Sequence, residues 1–276
     1  MSRTALVVGA AGGMGTEIAK ALQANAYRVV ATVLDDKEGA HLKSQVPAIT
    51  EVHKLDLSNA DSVLATLKAL PIRSLDAVVV AAAIGPTGPL EHGPLSMLRK
   101  TLEINTISAA AIFQACMPAL SAAKGRLVLI SSFSGKVGLP FLGHYTASKF
   151  ALEGLGDVMR REAKPRGVQV ILIEPGGVKT GMVAGQLADV ARERAALSAG
   201  DAERFGPMYD NFLALLKRSI DGMLPPSAVA EVVLEALTTN PPQVRYQVGE
   251  DAKFMCETSR KPDAEIDTIV AGFVGG

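Results

Sequence analysis

The stretch Ala5-Leu-Val-Val-Gly9-Ala-Ala-Gly-Gly13-Met-Gly15-Thr-Glu-Ile18 sets the reading of everything after it. Ala5–Val8 reads as a short strand with no polar face. Met14–Ala24 carries apolar residues at helical spacing. Between them, Gly9, Gly13 and Gly15 form the pattern Gly-xxx-Gly-x-Gly. Glycine permits a tight turn, a close approach of backbone to a bound group, and close packing of helix on strand. The free N–H groups where the helix opens near Met14, together with its dipole, favour an anion there. Chance alone gives this spacing ~0.2 times in so glycine-rich a chain, so its place between strand and helix is what makes it informative.

The same alternation continues downstream. Arg28–Leu34, Thr50–Leu55, Leu75–Ala82, Arg126–Ser131, Val168–Glu174 and Val244–Val248 read as further strands. Helices are expected over Asp36–Ser44, over Ser58–Leu70 with Ser58 as N-cap, and over Pro94–Ala123 with a bend or break near Leu102–Asn105. Tyr145–Lys164 is stopped by Pro165 and Gly167, and Ser227–Thr239 follows Pro225-Pro226. Several strands are apolar throughout, as a parallel sheet covered on both faces requires. Strand–helix–strand units with right-handed crossovers then wind helices onto both sides. The expected fold class is α/β, a Rossmann-type doubly wound parallel sheet of about seven strands. One domain spans 1–276. Val183–Asp221 is polar-rich and helical, so 181–225 is expected as a helical lid within that domain.

Composition excludes several classes. The 276 residues carry 28 Lys+Arg against 28 Asp+Glu, for no net charge. That removes the basic footprint of a nucleic-acid binder, and with aromatics at 4% and no tryptophan there is little for bases to stack on. Cys116 and Cys256 stand far apart without a CxxC partner, so neither a disulfide scaffold nor a metal site is expected. The apolar run Ala77–Ile84 falls far short of the ~18 residues of a membrane span. The expectation is a cytoplasmic protein with no membrane or nucleic-acid partner.

Chemistry concentrates around Tyr145-Thr-Ala-Ser-Lys149. Tyrosine and lysine four apart share a helix face. A phenol of pKa ~10 is a poor proton carrier at neutral pH, and a neighbouring ammonium favours the phenolate and lowers that value. Ser131-Ser132 ends the preceding strand, where a hydroxyl can hold a carbonyl oxygen against the tyrosine. Asp56, at the end of the third strand, is a candidate acceptor for an adenine amino group, or else a turn carboxylate.

Together, Gly9, Gly13 and Gly15, Asn105, Ser132, Tyr145-xxx-Lys149 and Pro175-Gly176 with Thr180 resemble the short-chain dehydrogenase/reductase family over roughly residues 3–182. Gly138-Leu-Pro-Phe141 through Leu155, Thr101–Thr106 and Arg245-Tyr246 resemble its 17β-hydroxysteroid and retinol dehydrogenase branch. The resemblance implies that Tyr145 is the general acid/base and that Lys149 binds the nicotinamide ribose and lowers the tyrosine pKa. It implies that Ser132 orients the substrate oxygen. Asn105 would hold a water linking Lys149 to solvent, and Thr180 would meet the nicotinamide carboxamide. Met14, Leu34, Asp35, Asp56, Leu57, Ala82, Pro175, Gly176 and Val178 join the glycines as implied cofactor contacts. Val137, Phe141, His144 and Met182 join Ser132 and Tyr145 as substrate contacts. The family's usual threonine before the first glycine is Val8 here, and its Asn-Asn-Ala-Gly motif is Val80-Ala-Ala-Ala83, so altered packing of the cofactor pocket is expected.

The resulting reading is an NAD(P)-dependent oxidoreductase acting on a secondary alcohol or ketone with an apolar skeleton, steroid-like, aromatic or alicyclic. The alternatives are a non-redox enzyme of the same family, such as an epimerase or lyase, and a non-catalytic dinucleotide sensor. Val33 and Leu34 stand where the family selects its cofactor, and Asp35 and Asp36 follow. Acidic side chains there repel a 2′-phosphate, which points to NAD, with NADP favoured if Arg3 reaches the adenosine. Family practice implies a homodimer or homotetramer built on helices near Ile104–Ala123 and Tyr145–Lys164.

Overall fold

In the computed structural model, which describes residues 3–271, seven strands form one parallel sheet in the order β3-β2-β1-β4-β5-β6-β7. The strands are β1 (Arg3–Val8), β2 (Tyr27–Val33), β3 (Glu51–Lys54), β4 (Ala77–Val80), β5 (Arg126–Ile130), β6 (Gln169–Pro175) and β7 (Arg245–Val248). Their side chains explain the unbroken apolar runs. Ala5 and Val7 point into one core and Leu6 and Val8 into the other, and Ala77 and Val79 part from Val78 and Val80 in the same way. A period of two with both faces buried leaves no polar position.

The first core is closed by α1 (Gly13–Ala24), α2 (Asp36–Gln45) and α9 (Pro226–Thr238) through Ile18, Leu22, Leu42, Val229 and Val233. The second is closed by α3 (Ala60–Ala69), α5 (Ser108–Ala123) and α6 (Gly143–Ala163) through Val63, Ile112, Leu120, Leu152 and Met159. Cys116 and Cys256 are both buried free thiols, pushed up to about 12 by burial. Asn59, not Ser58, caps α3: its side chain accepts from the Ser62 N–H at 2.8 Å, while Ser58 N–H is spent on Asp56.

The break expected near Leu102–Asn105 is a π-helical turn. The segment α4 (Leu95–Leu102) runs through π-helical Glu103–Ile107 into α5 without interruption. This rod is long and apolar enough to cross a bilayer by length and composition, but half of its most apolar stretch is buried in the fold. The added residue of the π turn aims Asn105 and Thr106 at α6. Thr106 Oγ1 donates to the Ser148 carbonyl at 2.8 Å, and Asn105 Nδ2 donates to Ser148 Oγ at 3.0 Å.

The excursion after β6 is built of two helices. The first, α7 (Gly181–Ala196), ends at Leu197, and α8 (Ala199–Ser219) restarts with Ser198 as N-cap. Phe141, Val190, Phe205, Tyr209, Phe212 and Leu216 form a small separate core between them and the loop before α6. Phe141 takes φ +73, a left-handed conformation costly for an aromatic residue, and its ring stacks on Phe212 at 4.5 Å and meets Tyr209 edge-on at 4.8 Å. The chain then adds α10 (Glu250–Thr258) and α11 (Asp263–Ala271), which pack Met255 and Val270 against Val137 and Leu139.

Candidate active site

Strand order reverses between β1 and β4, and the glycine turn sits in that crevice at the carboxyl ends of the strands. Gly9 has φ +78, and a Cβ there would lie 2.5 Å from the Cβ of Ala82. A Cβ on Gly15 would collide with the Gly9 carbonyl. No side chain caps α1 and no acid lies in its first turn, so its leading N–H groups face the crevice uncompensated. Ala82 therefore packs directly on the turn, where the family pattern has asparagine-rich sequence. Thr180 stands over the same turn, within 3.4 Å of where a Gly13 Cβ would lie. A narrow glycine cradle beside an open helix terminus fits the pyrophosphate of a dinucleotide.

The adenosine end is laid out differently from the expectation. Leu34 is 53% exposed, and its N–H donates to the carboxylate of Glu38 at 2.7 Å. Asp35 is the N-cap of α2 and accepts from the Glu38 N–H at 2.8 Å. Asp35 thus caps α2, while the carboxylate of Glu38, passed over in the sequence, takes the Leu34 N–H just after β2. Arg3 does not reach this place. Its guanidinium lies 4.2 Å over the Tyr27 ring and donates to Tyr27 Oη and the Asn25 carbonyl, at the opposite end of the sheet. Asp56 is exposed, with its Oδ1 accepting from the Ser58 N–H, and Leu57 is buried.

A cavity of about 620 Å³ lies beside the crevice. Ser132, Tyr145, Pro175, Gly176, Val178, Thr180, Met14 and Met182 all contribute to its wall. Of the expected substrate contacts, Ser132, Tyr145 and Met182 lie on this wall. Val137 and Phe141 do not line it; they are buried in clusters that share Leu139, Met255, Phe212 and Leu216 with the wall. His144 faces a different cavity, since neighbouring helix positions point in different directions.

Ser132 is extended, and its Oγ accepts from the Ser134 N–H at 3.1 Å. Burial pushes Tyr145 up to about 12, and hydrogen bonding to Ser132 works against that rise. Lys149 is buried and pushed down to about 8 by desolvation, with Glu153 opposing the change. Its ammonium donates to the Ile130 carbonyl at 2.8 Å and lies 5.5 Å from the Tyr145 ring centre. The expected lowering of the phenol by the lysine is therefore absent in this arrangement. The Asn105 side chain ties the loop after β4 to α6. Its Oδ1 accepts from Ile84 N–H at 2.9 Å, and its Nδ2 donates to Ile84 O and Ser148 Oγ.

Besides Glu38, two further residues escaped sequence reasoning. Asp251 of α10 accepts from the Gly177 N–H at 2.7 Å and fills the space left by Gly176, so it braces the loop after β6. Gln186 of α7 donates to the Gly85 carbonyl at 2.7 Å across the mouth of the cavity. Neither belongs to a spacing pattern, so the sequence carries no signal for them. Among the described residues, no group of His, Cys, Asp and Glu could hold a metal ion.

The family model for short chain dehydrogenases matches residues 3–191. A relative described as NADPH-dependent 3-dehydrocapnine reductase, from Ornithobacterium rhinotracheale, is 28% identical over 97% of this chain and 95% of its own length. The 17-beta-hydroxysteroid dehydrogenase type 1 of Homo sapiens is 32% identical over 91% of this chain and 79% of its own. Among solved structures, a short chain dehydrogenase from Burkholderia cenocepacia in complex with NADP superposes with a TM-score of 0.75, at 20% identity, covering 98% of this chain and 97% of that one. Sequence match, sheet order and glycine cradle agree: the chain belongs to the short-chain dehydrogenase family, whose members are NAD(P)-dependent oxidoreductases.

Proposed function

We propose that the protein interconverts a secondary alcohol and a ketone on a substrate with an apolar body, using Tyr145 as general acid/base. The observation that carries this is the convergence of Ser132 and Tyr145 with Gly176 and Thr180 on one cavity wall, lined elsewhere by Leu139, Leu142, Phe212, Leu215 and Met223. The glycine turn and Thr180 would hold the dinucleotide, whose nicotinamide, when bound, exchanges hydride with the substrate carbon.

The chain's own side chains do the rest. The Ser132 hydroxyl holds the substrate oxygen. In reduction Tyr145 Oη gives its proton to that oxygen, and in oxidation it takes the proton back. A phenol near 12 serves as an acid but is a reluctant base at neutral pH. Turning the Lys149 ammonium from the Ile130 carbonyl toward the phenol is the change that brings Tyr145 nearer working pH. Asn105 clamps Ile84 to α6 and keeps the β4 end in place beside that lysine.

Both NAD and NADP remain open by family, and the relatives above are named with NADPH and NADP. The carboxylates of Asp35 and Glu38 at the β2 terminus support NAD for this chain. This reading also takes the protein as a cytoplasmic homo-oligomer joined through α5 and α6. Ile107, Phe150 and Val158 are large apolar side chains exposed on or beside those helices.

The test is Tyr145→Phe. Turnover of a panel of cyclic ketones should fall ~10²- to 10⁴-fold while fluorescence titration shows unchanged dinucleotide binding. Unchanged turnover would remove the tyrosine mechanism. Dinucleotide binding with no turnover in the wild type would favour the sensor or a non-redox enzyme.

A further inference from the structure

The carboxyl ends of β6 and β7 carry charge on a face that is otherwise apolar. Along β6, Val170 and Leu172 point into the core covered by α6, and the period of two puts Glu174 on the same face. On β7, Tyr246 and Val248 point into the other core, which leaves Arg245 and Gln247 beside Glu174. Glu174 is fully buried. One carboxylate oxygen lies 3.2 Å from Arg245 Nε and 3.5 Å from Lys136 Nζ. The other accepts from the Gln247 amide at 3.2 Å and the Cys256 thiol at 3.5 Å. Glu153 of α6, itself 5% exposed, completes the cluster. Its Oε2 takes Lys136 Nζ at 2.7 Å and Arg245 Nε at 2.9 Å.

Burying this many ions is no route to stability, since an apolar set of the same volume is often as stable or more so. What the charges add is direction. Three of the four charged side chains come from the segments that carry the chemistry. Lys136 follows the short helical turn Phe133–Gly135, which Ser132 caps. Glu153 stands one turn beyond Lys149, on the face of α6 that also bears Tyr145. Glu174 directly precedes Pro175 and Gly176 on the cavity wall.

A second observation is steric. A Cβ on Gly135 would lie 2.9 Å from Glu153 Cγ and 3.0 Å from the Lys149 carbonyl oxygen, so the serine turn rests directly on the Lys149–Glu153 turn of α6. Glu153 also opposes the downward push of burial on Lys149. It is not part of the cavity wall, so any effect it has on substrate passes through these neighbours.

We propose that Glu153 is a positioning residue: through Lys136 and Arg245 it fixes the Ser132 turn and the end of β6 against the helix that carries Tyr145 and Lys149. The proposal rests on the oxidoreductase reading, because what it aligns is the serine hydroxyl with the phenol.

The test is Glu153→Gln in the full chain, which keeps the shape and removes the charge. Hydrogen exchange of the segment Ser132–Val137 should speed up by about tenfold or more, while the glycine turn at 9–15 keeps its protection. In ketone reduction kcat should fall about 10- to 100-fold with KM changed less than about twofold, and dinucleotide affinity should be retained. Lys136→Met should reproduce both effects, and Lys136→Arg should restore them. Combining Glu153→Gln with Lys136→Met should cost little more than the larger single change, because both remove one contact. Lys136 is 25% exposed, so its variants carry the same readouts if Glu153→Gln does not fold. A kcat within about twofold of wild type, exchange that rises equally throughout the sheet, or costs of the two substitutions that simply multiply would each overturn the proposal. The exchange readout needs no turnover. If the wild type reduces no ketone, the oxidoreductase reading falls, and faster exchange confined to Ser132–Val137 keeps the tether. Ketone turnover with kcat and exchange both unchanged in Glu153→Gln would sink the tether alone.

Discussion

Lys149 is a charged group held where water cannot reach it, and its ammonium donates to the Ile130 backbone carbonyl. Its ordinary value is 10.5 and burial takes it to about 8. Below about pH 8 the lysine is charged in both folded and unfolded chains, and folding bears the full desolvation cost. Between 8 and 10.5 the unfolded chain holds a proton the folded chain has lost, so stability rises with pH, by about 3 kcal/mol in all. Lys149→Met should therefore be stabilised relative to wild type most strongly near pH 7, with the advantage shrinking by about that amount toward pH 10 in urea titrations. An advantage independent of pH would show that the lysine is not desolvated as described. With the ammonium turned to Tyr145 as proposed, the same group predicts that alcohol oxidation loses that assistance as pH rises through about 8. A flat kcat/KM from pH 7 to 9 would count against that role. At the β2 terminus, the Glu38 carboxylate on Leu34 N–H should make NADH bind more tightly than NADPH, and Glu38→Gln should narrow the gap. Tighter NADPH binding in the wild type would overturn the NAD assignment.

At the scale of elements, the π turn at Glu103–Ile107 matters most. One added residue swings Asn105 to clamp both polar groups of the Ile84 backbone and the Ser148 hydroxyl. Asn105→Ala would leave the Ile84 N–H and carbonyl without these partners in a half-buried place. The expected cost is about 2–3 kcal/mol of stability, with a visible loss of Tm. A change below about 0.5 kcal/mol would show that water replaces the clamp. The helix pair α7 and α8 is an element of a different kind. It carries its own small core around Phe141, Tyr209 and Phe212, so it packs as a unit against the loop before α6. The sequence shows its amphipathic pattern, but not the break at Leu197–Ser198, because Ser198 is a cap only once Asp201 is positioned to donate its N–H.

At the scale of the whole molecule, exposed Ile107, Phe150 and Val158 support assembly through α5 and α6. Phe150→Glu should shift the sedimentation profile toward monomer at micromolar concentration. An unchanged profile would place any interface elsewhere. By itself the sequence determined the layered sheet, the glycine turn and the Ser132–Tyr145–Lys149 set. Apolar runs fix buried strands, and glycine spacing and an i, i+4 pair are local properties of one strand–helix unit. Val137, Phe141 and His144 were drawn to the catalytic cleft by proximity in sequence, and the fold sends them to two side-chain clusters and a second cavity. The direction of a loop side chain is set by whichever element packs over it. Only the tertiary structure brought Asp251 to Gly177, Gln186 to Gly85 and Glu193 to Tyr209. Those partners lie 74, 101 and 16 residues apart, and no spacing rule links positions whose contact depends on how separate elements pack.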